Sequence, residues 1–133
     1  MTVPTPQRTA VATADAPGAI GPYSQAIRHG DLLWCSGALP LDPADGTLVT
    51  DSPASETIRC LENLQAVCRA AGAELGNAVR VTVYTTRLEH FAEINDAYGA
   101  FFRAAPPARV TIGVAALPKG ASVEIDAVVA VAR

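Results

Sequence analysis

The stretch PPARVTIGVAALPKGASVEIDAVVAVA, residues 106–132, decides the fold. It reads as two strands, 109–115 and 122–131, joined by the turn-forming link ALPKGA. At period two, Arg109, Thr111 and Gly113 share one face of the first strand, and Val110, Ile112 and Val114 share the other. In the second strand, Glu124 and Asp126 lie opposite Val123, Ile125 and Ala127. Past Asp126 the alternation is lost. Ala127, Val129 and Val131 point one way, and Val128, Ala130 and Ala132 point the other. A strand apolar on both faces calls for cover on both.

Arg109 opens a run that is otherwise apolar. A guanidinium keeps its proton in a protein and needs an anion once buried. Two readings stand. A hairpin of the two strands would set Arg109 against Glu124 as a cross-strand salt bridge. Alternatively, the small Thr111 and Gly113 leave a hollow, where Arg109 holds a carboxylate from solution by two parallel hydrogen bonds.

Upstream, AVRVTVYTT alternates Val79, Val81 and Val83 against Arg80, Thr82 and Tyr84, a strand with one apolar face. A helix precedes it. Ser52 suits its N-cap, Pro53 its first position and Gly72 its stop. Ile58, Leu61, Leu64, Val67, Cys68 and Ala71 form its apolar stripe. A second helix is opened by TRLE, residues 86–89, a capping box of Thr86 and Glu89. It carries Phe91, Ile94, Tyr98, Phe101 and Phe102 on one side and ends at AAPP. The N-terminal part gives a loose segment at 1–7, a short strand at 9–12, and a hairpin of 25–28 and 32–36 turning at His29–Asp31. Asp45-Gly46 is a tight turn. The order predicts an α+β fold: a mixed β-sheet with two helices packed on one face. Nothing remains to cover the second face, so sheets of different copies are expected to pack together in a homo-oligomer.

The chain has 133 residues, half of them apolar and 17% charged, the size of one domain spanning 1–133. The net charge of −3 argues against dedicated nucleic-acid or membrane-surface binding. Three scattered cysteines, none in a CxxC pair, and two histidines make a metal site unexpected and fit a reduced, cytoplasmic chain. No segment reaches the roughly 18 apolar residues of a membrane span, and no secretory signal is visible.

GPYSQAI at 21–27, CSGALPLDP at 35–43, FAEINDAYGAFF at 91–102 and the 106–128 segment resemble the RidA family, also called YjgF-like. The resemblance runs from about residue 9 to residue 133. It implies a chorismate-mutase-like fold assembled as a homotrimer, with ligand sites between subunits. It also implies hydrolytic deamination of reactive enamines and imines, such as 2-aminoacrylate, to 2-keto acids and ammonia, a form of metabolite damage control that uses no cofactor. By motif, Arg109 grips the substrate carboxylate and Glu124 positions or activates water. Tyr23 lines the pocket, and Ser36 and Gly37 bring backbone contacts to the ligand. Asn95 lies near the site, and Thr111 falls where many members have cysteine.

Read without the resemblance, Tyr23 is equally a packing aromatic and Asn95 a loop tether. Cys35, Cys60 and Cys68 are small buried hydrophobes, and Trp34 belongs to core or interface. His29 and His90 have no evident role. The chain departs from the family at Ala38 and Glu56, where glutamine is common, and in a shortened segment between Phe102 and Pro107. Three further readings compete: a pathway-specific relative acting on a larger substrate, a non-catalytic metabolite-binding trimer, and a ribonuclease. The acidic balance weighs against the last.

Overall fold

The computed structural model describes residues 7–132, so the loose segment expected at 1–7 lies almost wholly outside the described residues. The elements are β1 (Thr9–Val11), β2 (Ala26–His29), β3 (Leu32–Ala38), α1 (Pro53–Ala70), β4 (Ala78–Thr85), α2 (Phe91–Gly99), β5 (Ala108–Gly113) and β6 (Val123–Ala130). They form one six-stranded mixed sheet in the order β1-β2-β3-β6-β4-β5. Only β4 and β5 pair in parallel; the other neighbours are antiparallel.

This order corrects the expected hairpin. β5 and β6 are not neighbours, because β4 lies between them. β3 and β4 both run antiparallel to β6, hence parallel to each other, with α1 as their crossover. Helix α2 is the crossover from β4 to β5. Both crossovers step the same way across the sheet. Right-handed connection then puts both helices on the same face, as expected.

The sheet meets the helices in a core of fully buried Leu33, Val81, Val83, Ile125 and Val129 against Leu61, Leu64 and Ile94. Each such side chain contributes about 1.5–3 kcal/mol by leaving water. Among the described residues no helix is long and apolar enough to cross a membrane.

Helix α1 begins and ends as expected. The Ser52 hydroxyl accepts the Ser55 N–H at 3.0 Å, Pro53 occupies the first turn, and Gly72 takes a φ of +73°. Its buried stripe is rotated from the expected one. Ile58 is 41% exposed, while Glu56, Thr57, Cys60 and Asn63 are buried. Two polar side chains explain the rotation. Glu56 Oε1 accepts the Ser122 N–H at 2.7 Å, and the Asn63 amide donates to the Leu39 and Leu41 carbonyls at 3.0 and 2.9 Å. These bonds tether two loops to the helix and hold its polar residues inward. All three cysteines are buried and free, as read.

The capping box does not form. The Thr86 N–H bonds the Ser122 carbonyl at the sheet end, so Thr86 is held as a strand extension. Instead Thr85 Oγ1 accepts the Arg87 N–H at 2.9 Å, and a 3₁₀ turn at Leu88–His90 leads into α2. The helix ends at Gly99, earlier than AAPP, so Phe101 and Phe102 lie past it, and Phe91 is 42% exposed. Val79 is also exposed, because a bulge between Ala78 and Arg80 turns it out of the β4 alternation.

His90 has a role the sequence did not suggest. Its Nδ1 bonds Glu93 at 2.5 Å, and Arg87 donates to its Nε2 at 2.8 Å. Glu93 Oε2 in turn accepts the Ala54 N–H at the start of α1, tying the two helices together. The His90 hydrogen bond is the main cause that lowers the Glu93 pKa below its usual 4.5. A lowered carboxylate pKa stabilises the fold above the unfolded value, and the effect is lost as pH falls through the folded value. Glu93→Gln is therefore expected to lower the melting temperature at pH 7. The gap from wild type should narrow below about pH 4.5. Thermal melts from pH 3 to 7 check this, and a gap independent of pH would refute the clamp.

Candidate active site

Partners across adjacent strands share a sheet face. Val81 lies beside Arg109 and Val83 beside Thr111, so Arg109 and Thr111 project on the helix-covered face. Tyr84 lies beside Glu124 and Thr82 beside Asp126, so the two carboxylates project on the uncovered face. Arg109 and Glu124 are thus two strand spacings apart across the sheet, about 9–10 Å, further offset along β6 by the three residues from Ala127 to Glu124, and on opposite sides of the sheet. The cross-strand salt bridge is excluded within one chain.

The residues singled out from the sequence fall into two groups. Arg109 and Asn95 line an open cleft of about 410 Å³ with Tyr98, Pro106 and Pro107. The guanidinium carbon lies 4.8 Å from the Tyr98 ring centre and 5.7 Å from that of Phe91. Rings at this range stabilise a cation by its attraction to their faces. Among the described residues no carboxylate lies within ion-pair range of Arg109. The Tyr98 and Thr111 hydroxyls are buried and without a hydrogen-bond partner among the described residues. A guanidinium on an aromatic platform, with unpartnered hydroxyls on the same face, is equipped to take an anion from outside the chain.

Tyr23, Ser36, Gly37 and Glu124 form the second group, around a cleft of about 320 Å³ walled by Ile20, Leu39 and Pro118. The Tyr23 hydroxyl accepts the Ile20 N–H at 3.1 Å, which closes the loop on itself. Ser36 Oγ donates to the Ser24 carbonyl at 2.6 Å, so its hydroxyl serves the loop. The register of β3 against β6 shifts between Cys35 and Ala38, taking Ser36 and Gly37 out of the ladder. A β-carbon at Gly37 would collide with the Glu124 carboxylate where it now lies, so glycine leaves room for that carboxylate.

Burial first, and then the charge of Asp126, raise the Glu124 pKa above its usual 4.5. Tyr84 donates its hydroxyl to Asp126 at 2.8 Å, which holds that neighbour in place. A carboxylate so perturbed sits nearer to neutral pH and is suited to exchanging protons with water. The Tyr98 platform and the Tyr84–Asp126 bond were missed in the sequence. Tyr98 was read only as part of an apolar stripe, and the Tyr84–Asp126 pair depends on strand order.

A carbon-detected NMR titration is expected to place the Glu124 midpoint above 4.5. Asp126→Asn should lower it part of the way, since burial is the larger cause. The folded state favours protonated Glu124, so its contribution to stability is present at low pH and lost as pH rises through the folded midpoint. Glu124→Gln should accordingly be more stable than wild type at pH 7 and no more stable at pH 3. Gly37→Ala should fold, because the clash is with the end of a flexible side chain, but return Glu124 toward its ordinary midpoint. A wild-type midpoint at or below 4.5 would contradict the assignment.

Comparison with known proteins agrees with the fold. Residues 13–131 match the family described as Endoribonuclease L-PSP. The chain is 53% identical over 119 residues to the RutC family protein y4sK of Sinorhizobium fredii, covering 90% of this chain and 94% of that protein. It is 43% identical over 121 residues to 2-iminobutanoate/2-iminopropanoate deaminase of Bos taurus, covering 91% and 88%. The crystal structure of E. coli TdcF with bound serine superposes with a TM-score of 0.88 at 35% identity, covering 93% of this chain and 99% of that one. Sequence motifs, sheet order and these matches together place the chain in the RidA family, the YjgF and RutC proteins described as Endoribonuclease L-PSP.

Proposed function

We propose that this protein hydrolyses carboxylate-bearing imines and enamines to 2-keto acids and ammonia, at a site completed between copies of the chain. The observation that carries this reading is Arg109, half-buried on aromatic rings with no carboxylate of its own chain to pair with among the described residues. The relative from Bos taurus named as an imine deaminase and the serine bound to TdcF support a small amino-acid-like ligand.

Arg109 of one copy grips the carboxylate, and Glu124 of a neighbour works at the reacting carbon. An enamine first takes a proton at its outer carbon and becomes the imine. The oxygen of a water molecule then bonds the imine carbon while Glu124 takes a proton from it. The nitrogen gains protons and leaves as ammonia, and the oxygen remains as the keto group. The imine carbon is already electrophilic, so positioning and proton transfer supply what the reaction needs.

Assembly follows from the uncovered sheet face. Trp34, Val110 and Ile112 are 51, 41 and 46% exposed there, beside Val128. Packing such faces together buries them and brings the Glu124 cleft of one copy toward a neighbour. The family resemblance supports three as the number of copies.

The test generates 2-aminoacrylate in situ with a serine dehydratase and follows ammonia and keto acid. Arg109→Ala is expected to lose at least about 30-fold in kcat/KM. Glu124→Gln should lose about 100-fold or more in kcat. Trimers mixed from equal parts of the two variants should regain about one quarter of the wild-type activity, because some interfaces then hold both intact residues. Recovery absent from mixed trimers would overturn the shared site. An assembled wild type that accelerates nothing would leave the metabolite-binding reading in its place.

A further inference from the structure

We propose that a small chamber beside the Glu124 cleft takes the aliphatic side chain of the substrate, so that the chain prefers imino acids with side chains longer than ethyl. This rests on the reading of Glu124 as the reacting group. Ile20, Tyr23, Ser36, Gly37 and Leu39 line both the cleft and the chamber. Consecutive strand residues face opposite ways. Gly37 faces Glu124, while Ala38 faces the chamber, toward Leu64 and Val67 of α1.

The passage between the two lies at the end of a ladder. β2 pairs with β3 only as far as Cys35, opposite Ala26. The Ser36 N–H still bonds the Gln25 carbonyl, and past Ser36 the space beside β3 is lined by Ile20 and Tyr23 of the preceding loop. On this reading an alkyl chain crosses there from the Glu124 side of the sheet to the helix side, past the residues that line both spaces.

The chamber is built open. The Gln25 side chain accepts from the Thr13 N–H at 2.7 Å and donates to the carbonyls of Thr13, Ala16 and Pro17. It props residues 13–17 as a roof. Ala16 and Ala38 leave the space beneath unfilled. The free volume is about 40 Å³. Roughly 10–15 Å³ of such space holds one water-sized group, so about three methylene-sized groups fit.

The lining selects for carbon. The side-chain donors of Gln25, Asn63 and Ser36 are all engaged by backbone carbonyls. The other lining side chains are apolar save for the Tyr23 hydroxyl, which accepts the Ile20 N–H. A hydroxyl or amine placed there would give up its water for little return, whereas a methylene gains from leaving water.

The experiment measures binding and turnover over a chain-length series. Calorimetry uses 2-oxobutanoate, 2-oxopentanoate, 2-oxohexanoate and 2-oxodecanoate. Turnover uses the imines that an amino-acid oxidase forms from the matching amino acids. Affinity and kcat/KM are expected to rise about fourfold per methylene over the first steps, then stop or fall at the longest chain. Ala38→Leu should reduce the long-to-short ratio to less than about twofold, and Val67→Ile, the milder change, should shorten the optimum by one carbon.

A flat wild-type series overturns the proposal, as does a rise that survives both variants. Keto-acid binding that rises with length, without turnover of any imine, would count against the proposed deamination and still support the chamber. Turnover of the shortest imine without a length dependence would do the reverse.

Discussion

Strand β6 enters the sheet between two strands that a helix already joins, and hydrogen-bonds along both its edges. Val128 lies opposite Trp34 on one side and Arg80 on the other, while Ile125 lies opposite Ala38 and Val83. Its residues at 123, 125, 127 and 129 are buried under the helices. Those between them carry Glu124 and Asp126 to the uncovered face. One strand therefore supplies both the centre of the core and the carboxylate proposed to react, with the period of two keeping the tasks apart. Because β6 comes last in the chain, β3 and β4 have no direct pairing until it arrives. Such non-local pairing slows folding and makes the C-terminal segment the element that completes the sheet.

What could be read from the sequence was what depends on near neighbours. Ser52, Pro53 and Gly72 bounded a helix by local backbone chemistry, and the hairpin around Gly30 followed from its turn. The helix count and their common face followed from element order. The position of β6 did not, since a period-two pattern names a strand's faces but not its neighbours. That is why Arg109 and Glu124 were drawn together as a hairpin pair. Thr86 failed as a cap for a related reason. Its backbone N–H was already held by Ser122, a partner distant in sequence. The exposed Ile58 reflects the inward pull of Glu56 and Asn63, long-range bonds that outweighed one apolar side chain.

Arg109 and Glu124, neither in an ion pair among the described residues, are tolerated by different means. Arg109 rests against rings whose faces attract it, an interaction of about 0.5–2 kcal/mol. Glu124 has no such support and responds by holding its proton more tightly. Tyr98 belongs to both sides of this balance. Its ring supports the guanidinium, while its buried hydroxyl has no partner among the described residues. The positions that cost the fold something are thus those a polar ligand would relieve.

The departure at Glu56 shows a change that leaves the fold intact, since its carboxylate still anchors the chain just before β6. The opposed directions of Arg109 and Glu124 reach further. Under the proposed sharing, a lone chain holds every part of the site and can use none of them on one molecule. Output would follow the population of assembled copies rather than the number of chains made. Falling abundance would then silence the activity as a threshold and not in proportion, and each defective copy would disable pockets on both of its neighbours.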